Sequence, residues 1–264
     1  MPLAHSICVA QTRPVRGAFE VNLAEHLRLV RLAASRGARV VLFPELSLTG
    51  YELELAEELA ISLDDRRLEP LAEAASAHAL TIIAGAPVRV GPRLHIGALI
   101  ARSRGTISLY AKQHLGAFGE SARCDGHLPP PEASIFDPGT LSPLVQLEDG
   151  LAGVAICADT GRASHPQGAA GGGAASYLAS MFVIPSDFDA DSARLRGYAE
   201  AHSMVVALAN FGGPTGGLAA AGRSSSWSER GELIVQLPPS GTGMAVATTT
   251  PNGWRHEVTM LDAG

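Results

Sequence analysis

The chain has 264 residues, 46% of them hydrophobic, and 20 Lys and Arg against 26 Asp and Glu give a formal net charge of -6. That is ample apolar material for a full core, and the basic residues are scattered singly, which argues against a nucleic-acid surface. No apolar run approaches the roughly 20 residues of a membrane span, and Met1 to His5 lacks the regions of a secretion signal. The three cysteines, Cys8, Cys124 and Cys157, make no disulfide framework, so a reducing, cytoplasmic setting is expected.

His5 to Ala10 reads as a first strand, with Cys8 inside it as a core residue. Leu23, Leu27, Val30 and Ala34 recur at helical spacing, and Gly37 closes that helix. Arg39 to Phe43 is continuous and β-branched, as in a strand covered on both faces, and it runs into Pro44-Glu45. Leu68, Leu71, Ala72 and Ala75 give a second helix, and Leu80 to Ala84 a third strand. His95 to Ala101 and Ile107 to Ala111 form a hairpin-type pair that ends in Lys112. Residues 113 to 143 have little periodicity and much Gly and Pro, and so long a structureless piece is usually functional.

Val145 to Leu147 and Leu151 to Ile156 pair around Gly150, and the second run delivers Cys157 at its carboxyl end, where open α/β sheets place their chemistry. The Gly-rich run from Cys157 to Ala175 reads as a loop, with Gly171-Gly-Gly173 a flexible turn in it. Ser176 to Ile184 follows as a strand, 190 to 203 as a helix, and Met204 to Ala209 as a strand. Ser224 to Trp227, Leu233 to Leu237 and Gly243 to Thr248 are closing strands. Alternating elements without a linker predict one α/β domain over residues 1–264.

Three strand ends therefore carry polar groups: Glu45, Lys112 and Cys157. Each alone has a bland reading, as a solvated carboxylate, a snorkelling lysine or a core thiol. Together they supply a base, an oxyanion stabiliser and a nucleophile.

Val41-Leu-Phe-Pro-Glu45-Leu-Ser-Leu-Thr-Gly-Tyr51, Tyr110-Ala-Lys112-Gln-His-Leu115 and Gly153-Val-Ala-Ile-Cys157-Ala-Asp159 lie in that order. They resemble the glutamate, lysine and cysteine motifs of the nitrilase, or carbon-nitrogen hydrolase, superfamily. Ala199-Glu200, Val205 to Asn210 and Gly222-Arg-Ser224 extend the likeness over nearly the whole chain. The segment after the cysteine departs from the family pattern, with Ala158 in place of a tyrosine and Thr160-Gly161-Arg162 in place of most of an arginine-aromatic-proline run.

The resemblance implies a four-layer α-β-β-α sandwich and a homodimer or higher homo-oligomer. It implies a hydrolase of non-peptide carbon-nitrogen bonds, acting on a small amide, carbamoyl or nitrile substrate. Cys157 is then the nucleophile, Glu45 the base and Lys112 the oxyanion partner, with the Ala158 N–H as a second donor and a thioester as intermediate. Glu120, in Phe118-Gly-Glu120, corresponds to a second glutamate that orients substrate and lysine. Met181 and Phe182 fall where the family's substrate pocket is lined. An amidase is favoured over an N-carbamoyl amine hydrolase or a nitrilase; a non-catalytic binding protein on the same fold is the alternative from another class.

No cofactor and no metal are expected, since His165 and His202 lack partners at ligand spacing. The Gly171-Gly-Gly173 run is not followed by the lysine of a phosphate-binding loop. Neither nucleic acid nor membrane is an expected partner. An arginine in the pocket would favour an amino-acid-like substrate, and the sequence leaves open whether Arg123 or Arg162 sits there.

Overall fold

The structure, a computed structural model, describes residues 5–123, 126–148 and 150–261. Cys124 lies outside the described residues. Two sheets form the centre. The first contains β1 (Ser6–Gln11), β2 (Val40–Leu42), β3 (Thr81–Val90), β4 (Arg93–Ala101), β5 (Ile107–Ala111), β12 (Gly243–Thr250) and β13 (Gly253–Met260), in the order β13-β12-β1-β2-β3-β4-β5. The second contains β6 (Leu144–Leu147), β7 (Gly150–Ile156), β8 (Ser176–Ser180), β9 (Val205–Ala209), β10 (Ser225–Trp227) and β11 (Leu233–Gln236), in the order β11-β10-β9-β8-β7-β6. The middle of each sheet is parallel: Ile7 stands beside Val40 and Val40 beside Thr81 in one, Val154 beside Leu178 and Leu178 beside Ala207 in the other.

Period-two alternation sorts these strands into layers. Ile7, Val9, Val40 and Leu42 meet Val154, Ile156, Leu178 and Ala207 in the core between the sheets. Cys8, Ala10 and Val41 face the other way, against α1 (Phe19–Ser35) and α3 (Glu69–Ala77), between which the chain makes the single-turn α2 (Ala56–Leu59). Tyr177, Ala179, Val206 and Leu208 face α4 (Ser164–Gly171) and α5 (Phe188–His202). Because the central strands are covered on both faces, they read as unbroken apolar runs. The layering is α-β-β-α, as the resemblance implied. On α1 the buried face is Phe19, Leu23, His26, Leu29, Val30 and Ala33, a helical stripe. Each fully buried Leu or Val of that stripe contributes roughly 1.5–3 kcal/mol.

Three expectations need correction. The Gly-rich run after Cys157 is not loop throughout: residues 164–171 are helix α4, while Gly172 and Gly173 form the turn expected there. Pro166 falls in its first turn, where a missing N–H costs nothing. The small residues let the helix lie directly on β7, since a Cβ on Gly153 would stand 2.7 Å from the Ala169 Cβ. The third strand runs on to Val90 and turns at Gly91-Pro92 into β4, with Val90 beside Arg93. Last, β8 stops at Ser180, so Met181 to Ile184 leave the sheet, and β13, an alternating polar edge strand carrying Trp254, was not expected at all.

Candidate active site

Glu45 follows the end of β2 by way of Pro44 and is 1% exposed. The turn that aims it is tight. Leu46 has φ 51°, and the backbone crosses directly over Gly85 of β3, where an added Cβ would stand 2.2 Å from the Leu46 nitrogen. Only glycine fits beneath that crossing. Ser47 Oγ accepts the Gly85 N–H at 3.1 Å and bonds His26 Nε2 at 2.8 Å, tying the turn to α1. Burial pushes the Glu45 carboxyl up to about 7; Lys112 opposes the shift and the charge of Glu132 adds to it. Its Oε2 is buried and has no hydrogen-bond partner among the described residues.

Lys112 directly follows β5, with its backbone N–H on the Ile96 carbonyl at 2.9 Å. Its ammonium, fully buried, donates to Glu45 Oε1 at 2.7 Å and to Glu132 Oε1 at 2.7 Å. Burial pulls its pKa down, but the two carboxylates outweigh that and hold it above the ordinary lysine value. A buried ammonium between two carboxylates stays charged.

The second carboxylate bonded to Lys112 is that of Glu132; Glu120 is bonded to Arg123 instead. Glu120 begins a short turn on the surface, 77% exposed, with both oxygens taken by Arg123 at 2.9 Å. An arginine three residues on satisfies its charge locally and nothing draws it inward. Glu132 comes after three prolines and is 2% exposed. Its Oε1 also accepts the Tyr51 hydroxyl at 2.7 Å, its Oε2 accepts the Gly116 N–H at 2.7 Å, and its own N–H returns to the Gly116 carbonyl at 3.0 Å. Sequence reasoning missed it. The available signal was a carboxylate leading into the apolar Ala133 to Phe136, whose Phe136 is buried.

Cys157 follows the end of β7 and opens a short helical turn, Cys157–Gly161. Its φ of 41° lies in the left-handed region, uncommon for a side chain of this kind and a form of strain found at functional sites. Asp159, wholly buried, holds the turn. Its Oδ2 accepts the Ile156 N–H at 3.0 Å; its Oδ1 accepts the N–H groups of Gln113 at 3.1 Å and His114 at 2.8 Å. One carboxylate thus grips the residue before Cys157 and the residue after Lys112. Thr160 Oγ1 donates to the Cys157 carbonyl at 2.8 Å. The Cys157 thiol donates to the Phe182 carbonyl at 3.7 Å. Burial raises the thiol well above its ordinary value; the charge of Glu45 adds to this and that of Lys112 opposes it. Burial thus pushes both the thiol and the Glu45 carboxyl toward their protonated forms.

Lys112, Glu132 and Cys157 share one pocket of about 190 Å³, lined by Ala158, Met181 and Phe182 among others. Every site residue expected from sequence, except Glu120 and Glu45, is on its wall, and Glu45 lies behind Lys112. Tyr51, Phe118 and Phe182 form an aromatic wall, their ring centroids 5.0 to 5.7 Å apart. Asp187, Asp191 and Arg194 line the pocket as well, the last two paired with each other. Neither Arg123 nor Arg162 contributes to it; the pocket arginine is Arg194, from α5. Among the described residues no group of His, Cys, Asp and Glu is disposed to hold a metal ion.

Comparison with known proteins agrees with this fold. The structure overlays on the amidase of Nesterenkonia sp. AN1, a nitrilase-superfamily protein, with a TM-score of 0.81 at 22% identity over 96% of this chain and 93% of that one. It overlays equally on Saccharomyces cerevisiae Nit3, with a TM-score of 0.81 at 15% identity over 95% and 92% of the chains. Among curated sequences it is 28% identical over 259 residues to the glutamine-dependent NAD(+) synthetase of Mycobacterium leprae, covering 89% of this chain but 37% of that protein. A second such synthetase, from Thermotoga maritima, is 27% identical over 155 residues, 58% of this chain and 25% of that protein. The chain thus spans well under half the length of these relatives. The carbon-nitrogen hydrolase family model matches residues 6–256, nearly the whole chain, and the protein belongs to that family.

Proposed function

We propose that the protein is a cysteine-dependent amidase of small molecules, working through a thioester. The observation that carries this reading is the Lys112 ammonium, bonded at 2.7 Å to each of two buried glutamates, with Lys112, Glu132 and Cys157 lining one pocket. Such an arrangement serves acyl transfer better than it serves stability, since a buried charge cluster is costly to assemble.

In this mechanism the Cys157 sulfur attacks the amide carbon and its proton passes to Glu45. The carbonyl π pair moves onto oxygen. That oxyanion is met by the Lys112 ammonium and by the Ala158 N–H, which begins a helical turn where N–H groups lack intrahelical partners. The tetrahedral intermediate collapses, the C–N bond breaks, and the amine leaves with the proton from Glu45. Water, deprotonated by Glu45, then attacks the thioester and frees the acid and the thiol. A carboxyl titrating about 7 is matched to giving and taking protons at neutral pH. Glu132 keeps the ammonium in place, and Tyr51 keeps Glu132 in place.

The pocket's size and aromatic wall favour a short, largely apolar acyl group. The solved amidase of Nesterenkonia sp. AN1, which has been captured with the acetamide moiety of fluoroacetamide on its active-site cysteine, supports that class of chemistry by likeness. An N-carbamoyl amine hydrolase is the second reading, favoured by Arg194 on the pocket wall, where a substrate carboxylate would meet a guanidinium. The test is ammonia release from a panel of short primary amides, glutamine and N-carbamoyl amino acids, with wild type and Cys157→Ala. Turnover of an amide that survives the substitution removes Cys157 from the role. Release from carbamoyl compounds alone selects the second reading.

A further inference from the structure

His165, considered from sequence only as a metal ligand, lies buried beneath the cysteine turn at the start of α4. Its Nε2 is 2.9 Å from the Tyr110 hydroxyl and its Nδ1 is 2.8 Å from the Tyr177 hydroxyl. The directions of these bonds can be worked out from the far end. Asp159 Oδ2 already accepts the Ile156 N–H, so it is an acceptor, and the Tyr110 hydroxyl at 2.7 Å must donate to it. With its proton so used, the Tyr110 oxygen is left to accept from His165 Nε2–H. The other ring nitrogen of a neutral imidazole is then bare, and Tyr177 donates to it. The remaining groups around the ring are His114, edge-on at 6.1 Å, and Asp159 Oδ2, 4.0 Å away and reached through Tyr110. Burial pulls the imidazole down, which keeps it neutral.

We propose that His165 is a positioning residue for Cys157, acting through a one-way chain in which Tyr177 donates to His165, His165 to Tyr110 and Tyr110 to Asp159. The chain draws on four elements: β8, α4, β5 and the cysteine turn. Its last member is the carboxylate that fixes Ile156, next to Cys157, and Gln113, next to Lys112. The chain therefore sets the distance between nucleophile and ammonium and holds Cys157 in its left-handed conformation. The proposal rests on Cys157 being the nucleophile.

The first measurement is the ring tautomer, from long-range ¹⁵N–¹H correlations on the histidine-labelled wild type at neutral pH. The expected pattern for His165 is a protonated Nε2 and a bare Nδ1. A protonated Nδ1, alone or in an imidazolium, overturns the chain. The second compares His165→Phe, Tyr110→Phe and the double variant for amide turnover and for alkylation of Cys157 by iodoacetamide. Each single variant should lower kcat by roughly 10- to 100-fold, the scale of a small misplacement of reacting groups, and slow alkylation in parallel. KM should stay within about twofold, because no substrate contact is lost. The double variant should lose little more than either single one, as members of one chain do. Fully additive losses, or singles that turn over and alkylate like wild type, overturn the proposal. The tautomer and the alkylation rates need no amide turnover. A wild type inactive on every amide would therefore sink the amidase reading while leaving these two results to judge His165.

Discussion

Glu132 Oε1 lies 2.7 Å from the Lys112 ammonium, although the two residues belong to a loop and a strand end. That bond separates Glu132 from Glu120, which meets solvent. Glu132→Gln should reduce kcat/KM for the best amide by about 10²–10³, the cost of disturbing a preorganised charge at the oxyanion. It should also move the acid limb of the pH profile to lower pH, because the charge of Glu132 is one of the influences raising Glu45. Glu120→Gln should leave turnover within about twofold. Steady-state kinetics from pH 5 to 9 on both variants checks the assignment, and equal losses would refute it.

The pH dependence of the wild type follows from Glu45. The base must be ionised before it can take the thiol proton, and its carboxyl titrates about 7. kcat/KM should rise about tenfold per pH unit below that point and level off above it. A profile flat down to pH 5 would mean that Glu45 is ionised throughout and that burial does not tune it.

Gly85 supports the glutamate turn by having no side chain. A methyl there would stand 2.2 Å from the Leu46 nitrogen, 2.8 Å from the Pro44 oxygen and 2.9 Å from the Glu45 carbonyl carbon. All three are backbone atoms, so the turn must move. Gly85→Ala should cost about 1–3 kcal/mol of stability and most of the activity. Thermal denaturation and ammonia release measure the two effects, and an active, fully stable variant would show that the turn has slack.

His26 offers a stability test away from the pocket. It stacks on Phe43 at 4.0 Å and bonds Asn22 O and Ser47 Oγ. Burial lowers its pKa from 6.5 to about 4. Between those values the unfolded chain binds the proton and the folded one does not. Its contribution is therefore whole above about pH 6.5 and is lost as pH falls towards 4. Glu45 acts in the opposite sense: its raised pKa gives a contribution present below about 4.5 and lost as pH rises through 7. The difference in Tm between wild type and His26→Gln should accordingly shrink from pH 7 to pH 4. A constant difference would mean that the ring protonates in the folded state.

Much of this was legible in the chain. The central strands are unbroken apolar runs because both faces are covered, and β2 and β7 lead in this way to Glu45 and Cys157, while Lys112 follows the edge strand β5. Period and propensity fail where small residues serve packing, so the stretch that is α4 reads as loop in the sequence, although Ala169 packs on Gly153 of β7. They fail also for β13, an edge strand whose exposed face carries Arg255 and Glu257. Glu132 was hidden for a different reason. Its role depends on a loop folding back onto Gly116 and Lys112, and such a long-range return leaves no periodic trace. The fixed pattern in Asp159 was visible as a motif letter, but its grip on Gln113 and His114 was not.

Glu45 and Lys112 hang from one sheet and Cys157 from the other, with Ser180 Oγ donating to the Phe43 carbonyl at 2.8 Å across the gap. The reacting distance is therefore a measure of how the two slabs are seated. Slippage between them by a fraction of an ångström would disarm the protein while every strand stayed paired. Trimming a methyl from Leu42 or Ile156, deep in the seam, should be felt in catalysis before it is felt in folding.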